Sequence, residues 1–369
     1  MTIEQVEIQL IASVVAAACA LPGVFLILRR TAMMSDAISH TVLLGIVGGY
    51  FIVGTLDHPL LIVGAAVVGV LTVSLVELLT KTKLVKADAA IGLVFPALFS
   101  IAVIMISSGA RDVHLDEHVV FQGDLVFAPF DRMILFGADV GPRTLVIMSG
   151  VLLVNIVLIA IFYKELKLST FDASLAAAFG FSPAILHYGL MTMVSVTAVG
   201  AFDAVGSILV IAFMIVPPVT AYMLTDRLSR LLMISVVVGI AGSIGGYWMA
   251  RAFDTTIGGT IVTMLGIIFL LVLMLSPERG FVALARRRAR QKWEFASTML
   301  AIHLMNHEGQ PDYADEARVE HLSEHMRWEH DFAAQVVRRA QRSGVLIRRD
   351  NTLFLTDQGR TRAAEALSR

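Results

Sequence analysis

Apolar residues in this chain come in long unbroken runs. Nine runs are near the roughly 20 residues that a helix needs to cross a bilayer: about 9–28, 37–56, 60–80, 89–107, 144–163, 183–202, 205–225, 231–250 and 257–275. The sixth and seventh are separated only by a tight turn expected near Asp203, so eight and nine spans are both open. The first run has an acidic flank, Glu4 and Glu7, and leads into Arg29 and Arg30. That is the reverse of a cleavable signal peptide. Beyond about residue 290 the pattern changes. Residues 293–306, 317–328 and 331–343 read as amphipathic helices, the last ended by Gly344. VLIRRDNTLFLTDQG then gives strand, Asp350-Asn351 turn and strand, and a final helix follows from Gln358. Three helices and a hairpin are the order of a winged helix-turn-helix. The expected fold is therefore an all-α polytopic membrane protein of eight or nine spans over 1–280, with a small winged-helix domain over 290–369.

Loop charges set the expected orientation, because cytoplasmic loops are enriched in Lys and Arg. With nine spans and the N-terminus outside, the inner loops hold nine basic residues: Arg29, Arg30, Lys81, Lys83, Lys86, Lys164, Lys167, Arg227 and Arg230. The outer loops hold Arg111, Arg132, Arg143 and Arg251. The C-terminal domain is thus expected in the cytoplasm of a multi-pass plasma (inner) membrane protein. The outer loop 108–143 is long and acidic, with Asp112, Asp116, Glu117, Asp124, Asp131 and Asp139 beside His114 and His118. The inner loop KELKLSTFDASLAAAFGFS (164–182) is too polar to span. Its Ala-rich middle predicts a helix, with Ser169, Thr170 or Asp172 as cap and Gly180 with Pro183 as its end.

Composition narrows the class. Of 369 residues, 57% are hydrophobic and 16% charged, and the mean hydropathy is +0.77. Those values exclude a disordered chain and an ordinary soluble enzyme. The net charge of −1 hides a split: residues 281–369 hold 15 of the 29 Lys and Arg. Their excess of basic over acidic side chains is small, which is weak for DNA binding, so nucleic acid is not expected as a partner. Cys19 is the only cysteine, which excludes an intrachain disulfide and a cysteine metal cluster. The sequence has no GxxxxGK[ST] phosphate loop, no HExxH and no GxSxG elbow, so an enzyme reading has nothing to rest on.

Ionisable residues in a span ask for a reason, since each costs roughly 2.5–3.5 kcal/mol at the centre of a helix. In MMSDAISHTVLLGIVGG, Asp36 and His40 lie one turn apart on one helical face. Carboxylate with imidazole suits Mn, Fe or Zn, and a two-fold pair would bring two ligands to four. The alternative is that Asp36 caps the helix at headgroup level and His40 hydrogen-bonds to a neighbour; the spacing alone leaves both open. The adjoining ridge Ala37, Thr41, Gly45, Gly49 permits close helix approach. Asp203 could line an outer gate or cap the turn between two spans, and turn chemistry favours the cap. Pro217-Pro218 breaks the hydrogen-bond ladder inside a span, either along a translocation path or as a static kink. Glu77 and Asp88 fit salt pairing with the Lys81–Lys86 loop, and His187 a satisfied polar contact. In the C-terminal region His303 and His307 are four apart, as are His321 and His325, with Glu329 and His330 following. Solvated helix faces outweigh a regulatory metal there.

Five segments together resemble the membrane permeases of ABC importers for manganese, zinc and iron(II): SDAISHTVLLG (35–45), KADAAIGLVFPALFS (86–100), LDEHVVFQGDLVF (115–127), KELKLSTFDASLAAAFG (164–180) and AFDAVGSILVIAFMIVPPVTAYMLTDR (201–227). They cover roughly 1–280, and the longer variety of this family carries a repressor-like winged-helix tail. The resemblance implies that Asp36 and His40 form the metal path. It implies that the helix of 165–182, with Glu165, Phe171, Asp172 and Gly180, couples to an ATPase. It implies as partners a separate ABC ATPase subunit, a second permease copy or paralogue, an extracytoplasmic metal-binding protein and membrane lipid. The cargo would be Mn2+, Zn2+ or Fe2+, with Mn2+ first because Asp supplies a hard oxygen. This chain departs from many relatives, which have Pro-Ala where it has Pro217-Pro218. The runner-up is a membrane-anchored metal-responsive regulator, against which nine spans are more than an anchor needs; a stand-alone secondary carrier is a third.

Overall fold

The computed structural model describes residues 2–55, 58, 60–109, 125–135, 138–277, 279–311, 313–319, 321–322 and 326–368. It divides into two compact units, Met1–Arg279 and Gly280–Arg369. The first is a helical bundle: α1 (Ile3–Leu28), α2 (Met33–Val53), α3 (Leu60–Lys81), α4 (Ala87–Gly109), α5 (Arg143–Ile161), α6 (Tyr163–Phe171), α7 (Ala173–Ala178), α8 (Pro183–Leu224), α9 (Leu228–Phe253) and α10 (Ile257–Leu275). α8 has 42 residues. At ~1.5 Å per residue a straight rod of that length would be about 60 Å, twice a hydrocarbon core. Its backbone is non-helical at Gly206 (φ 72°, ψ 167°), where two helices meet, and it holds two stretches long and apolar enough to span, Pro183–Phe202 and Ala204–Leu224. Nine helices among the described residues are then long and apolar enough to cross a membrane. The break falls three residues beyond the turn expected at Asp203, where only glycine takes that conformation without strain.

α1 and the second half of α8 are the most buried of the nine. Phe25, Leu26, Ile11 and Val15 of α1 pack among Leu209, Phe213 and Met214 of α8 in the core. Polar bonds tie the two ends of the bundle. At one end Arg132 binds Glu7 (3.3 Å) and Arg251 binds Gln5 (3.3 Å). The other end gathers Arg29, Glu77, Lys81, Ser169, Thr170 and His187. The loop between α4 and α5 adds an antiparallel hairpin that the hydropathy pattern did not reveal, β1 (Arg132–Leu135) with β2 (Ala138–Pro142). Arg132 Nε donates to Asp139 across it (2.5 Å). Asp112, His114, Asp116, Glu117, His118 and Asp124 lie outside the described residues.

The second unit starts earlier than residue 290. α11 (Phe281–His307) runs through the basic stretch Arg286–Lys292 as one helix. The helix expected over 317–328 is shorter: among the described residues Val319, His321 and Leu322 are helical and Ala317, Arg318 and 326–329 are not, and the short α12 (Tyr313–Glu316) precedes it. α13 (His330–Arg342), β3 (Leu346–Arg349), β4 (Thr352–Leu355) and α14 (Asp357–Leu367) follow. The hairpin pairs Leu346 with Leu355 and turns at Asp350, whose φ is 53°. Leu300, Leu304, Leu322, Val336, Val337, Leu346 and Leu353 form this unit's own core.

Candidate functional site

Asp36 lies in the first turn of α2 and His40 one turn further on, so the pair sits near one end of the span and not at its middle. Asp36 is not the cap: the N-cap position is Ala32, and no side chain caps there. A carboxylate in a first turn is favoured by the helix dipole, which eases its placement. His40 Nε2 stands 3.4 Å from Asp36 Oδ1, with side chains 24% and 42% exposed respectively. The imidazole is steered by α4, its ring 5.4 Å from Phe95 and 6.1 Å from Phe99.

Packing decides which face of α2 stays open. The ridge Ala37, Thr41, Gly45 and Gly49 is buried. It closes on α3: a Cβ on Gly45 would overlap the Gly64 carbonyl and Ala65, one on Gly64 would overlap the Gly45 carbonyl, and Thr72 donates to Thr41 (2.8 Å). With that ridge consumed inside the chain, the remaining stripe carries Asp36, His40 and Leu43, all partly exposed. Two ligands on one open face can hold an ion only with further donors from outside the chain or from water.

The 164–182 loop forms two short helices, α6 and α7, and not one. Asp172 is extended between them (φ −149°, ψ 95°) and is the N-cap of α7. The Ser174 hydroxyl and the Leu175 N–H donate to its carboxylate (2.6 and 2.9 Å) and hold its pKa below the ordinary carboxylate range. Gly180 takes the left-handed conformation after α7 (φ 85°), and Pro183 opens α8 as its first residue. Phe171 and Phe179 are 60% and 68% exposed. Glu165 is half-buried, with Oε2 lacking a hydrogen-bond partner.

A network that the sequence reading did not find anchors this pair of helices. Arg29 donates to Thr170 Oγ1 (3.1 Å) and Ser169 Oγ (2.8 Å) and approaches His187 Nδ1 (3.4 Å). His187 Nε2 is 3.1 Å from Glu77 Oε1, and Tyr188 donates to Glu77 Oε2 (2.7 Å). His187 is thus a polar contact, as its position suggested. Glu77, however, does more than pair with Lys81: it ties α3 to α8. The partners are up to 158 positions apart, so no local pattern could reveal them. Asp203 is in helical backbone between Phe202 and Ala204, both buried. Pro217 and Pro218 are buried within α8, packed on protein.

Nine apolar helices among the described residues, one of them carrying a carboxylate–imidazole pair on a partly exposed face, define a polytopic membrane protein of the transport class. The chain belongs to the ABC 3 transport family, whose model matches residues 4–276. It is 46% identical over 353 residues to the zinc transport system membrane protein TroD of Treponema pallidum, covering 96% of each chain. A match of that length runs through the C-terminal unit as well. It is 42% identical over 282 residues to the manganese transport system membrane protein MntD of Bacillus subtilis, covering 76% of this chain and 95% of the relative. Among solved structures it resembles PsaBC from Streptococcus pneumoniae in complex with Fab. The TM-score is 0.65 and the identity 28%, with 77% of this chain and 96% of that chain covered.

Proposed function

We infer that this chain is the membrane permease subunit of an ATP-driven importer of divalent transition metal ions, Mn2+ first, with Zn2+ and Fe2+ the alternatives. The carrying observation is the Asp36–His40 pair, 3.4 Å apart on the face of α2 that packing leaves open. A second copy or a paralogue apposed on that face doubles the ligands to four. The pair then replaces water lost from the ion, binding it well enough to dehydrate it and weakly enough to release it.

The proposed topology has the N-terminus outside and Gly280–Arg369 in the cytoplasm, following the loop charges. The end with Arg29, Glu77 and Ser169 is then cytoplasmic, which suits α6 and α7 as the coupling element. The exposed Phe171 and Phe179 offer an apolar surface to a separate ABC ATPase subunit, with Glu165 and Gly180 shaping the helix pair. The chain itself has no phosphate loop, so hydrolysis belongs to that partner. An extracytoplasmic metal-binding protein delivers the ion at the opposite end, and lipid surrounds the bundle. Asp203 and Pro217-Pro218, in the helix packed most closely on α1, are proposed gate or path positions, where rocking of the two halves closes one side and opens the other. The order of α11, α13, the β3–β4 hairpin and α14 supports a winged-helix reading of the C-terminal domain.

The test is metal uptake in vesicles holding the assembled transporter. Asp36→Ala and His40→Ala should each abolish uptake of radioactive Mn2+ or Zn2+ while the ATPase still co-purifies. Wild-type uptake in both variants removes the assignment.

A further inference from the structure

Three histidines and a buried glutamate converge in the C-terminal unit. His303 and His307 are one turn apart on α11, ring centroids 4.9 Å apart. Glu316 ends α12 and its side chain is only 9% exposed. One ligand atom from each of His303, His307 and Glu316 lies within 4.8 Å of the others. His303 Nε2 is 3.5 Å from Glu316 Oε2, and His321 Nε2 is 3.5 Å from Oε1, so an imidazole faces each carboxylate oxygen. The solvated faces expected from sequence hold for Glu329 and His330, which are exposed, and fail for His303, 12% exposed. His325 lies outside the described residues.

We propose that His303, His307, Glu316 and His321 bind a divalent transition metal ion, with Zn2+ the best match. A buried carboxylate is tolerated where it is paired or coordinates a metal. Tetrahedral bonds of about 2.0–2.1 Å place ligand atoms roughly 3.3–3.4 Å apart, so His303, His307 and Glu316 need only small rotations to close on an ion, and His321 would join them from beside Glu316 Oε1. Three imidazole nitrogens with one carboxylate oxygen and no thiolate suit zinc. The ion would fasten α11 to Glu316 of α12 and to His321, and the chain beside Glu316 is itself bonded to β4. Tyr313 donates to the Leu353 carbonyl (2.9 Å), and the Leu353 N–H donates to the Ala317 carbonyl (3.0 Å). Occupancy therefore links the long helix to the hairpin. This site is independent of the transport reading.

The test uses the untagged full chain in detergent, stripped with a chelator and dialysed against ZnCl2, with bound zinc counted by mass spectrometry. His303→Gln/His307→Gln should bind one ion fewer per chain than the parent. His330→Gln, an exposed control, and Asp36→Ala should both keep that ion. If the double variant does not fold, His321→Gln carries the test, with an affinity about tenfold or more weaker. Co2+ should give the strong visible bands of tetrahedral coordination, lost in His307→Gln. Equal zinc in the parent and the histidine variants overturns the proposal.

Discussion

At the residue scale, the bundle is held where prolines free backbone carbonyls. Pro22 has no N–H to give to the Ala18 carbonyl four residues back. Asn155 of α5, buried, donates Nδ2 to that oxygen (3.1 Å) and to Thr197 Oγ1 (2.9 Å). An Asn in an otherwise apolar span thus has a specific task. Pro218 frees the Met214 carbonyl in the same way, and Gly23 brings α1 onto it: a Cβ there would overlap the oxygen. Asn155→Ala should lower the stability of the detergent-solubilised chain by about 1–3 kcal/mol, the cost of an unmade buried hydrogen bond. Adding Pro22→Ala returns an N–H to Ala18 and should recover part of the loss. Thermal unfolding of the two variants beside the parent reads both effects; an Asn155→Ala chain as stable as the parent removes this account.

At the scale of elements, the interest lies in α6 and α7. A lone exposed phenylalanine on a short helix gains nothing in isolation, but its burial against a partner contributes roughly 1.5–3 kcal/mol. Phe171→Ala should therefore weaken ATPase co-purification or uncouple hydrolysis from uptake, leaving metal binding at Asp36 and His40 unchanged. Asp172→Ala removes the cap of α7 and no apolar contact, so its effect on assembly should be smaller. Normal assembly and transport by Phe171→Ala would move the coupling role elsewhere. Ser169, Thr170 and Arg29 fix where the pair of helices emerges, and the composition of 164–182 signalled helix without signalling its division at Asp172. That division depends on whether Asp172 extends a helix or caps the next one, two options that are close in local energy.

For the whole molecule, the proposed path requires two permeases to meet across the Asp36–His40 face. Cys19 is the one cysteine and is buried, so Cys19→Ser yields a background free of thiols. Leu43→Cys in that background adds one thiol to the open stripe of α2. Mild oxidation in native membranes should convert it into a covalent dimer, at twice the chain mass. Chains that stay single under conditions where the thiol reacts with a soluble maleimide would count against two copies meeting at this face.

Much of this architecture was legible in one dimension. Crossing a bilayer needs about 20 apolar residues with every backbone group bonded within the helix, so a count of eight or nine spans and the change to a soluble pattern near residue 290 follow from hydropathy alone. The one-turn spacing of Asp36 and His40 follows from helical geometry, and the Asp350-Asn351 turn from local chemistry. Tertiary packing decided the rest. Whether the Asp36 face is open depends on Gly45 and Gly64 bringing α3 against the neighbouring ridge. Asn155 could not be matched to Ala18, or Arg29 to Ser169, because those partners lie 137 and 140 residues apart. His303 and Glu316 illustrate the same limit at 13 residues: a helical repeat predicts which side chains share a face, but not what the chain folds back to set against that face.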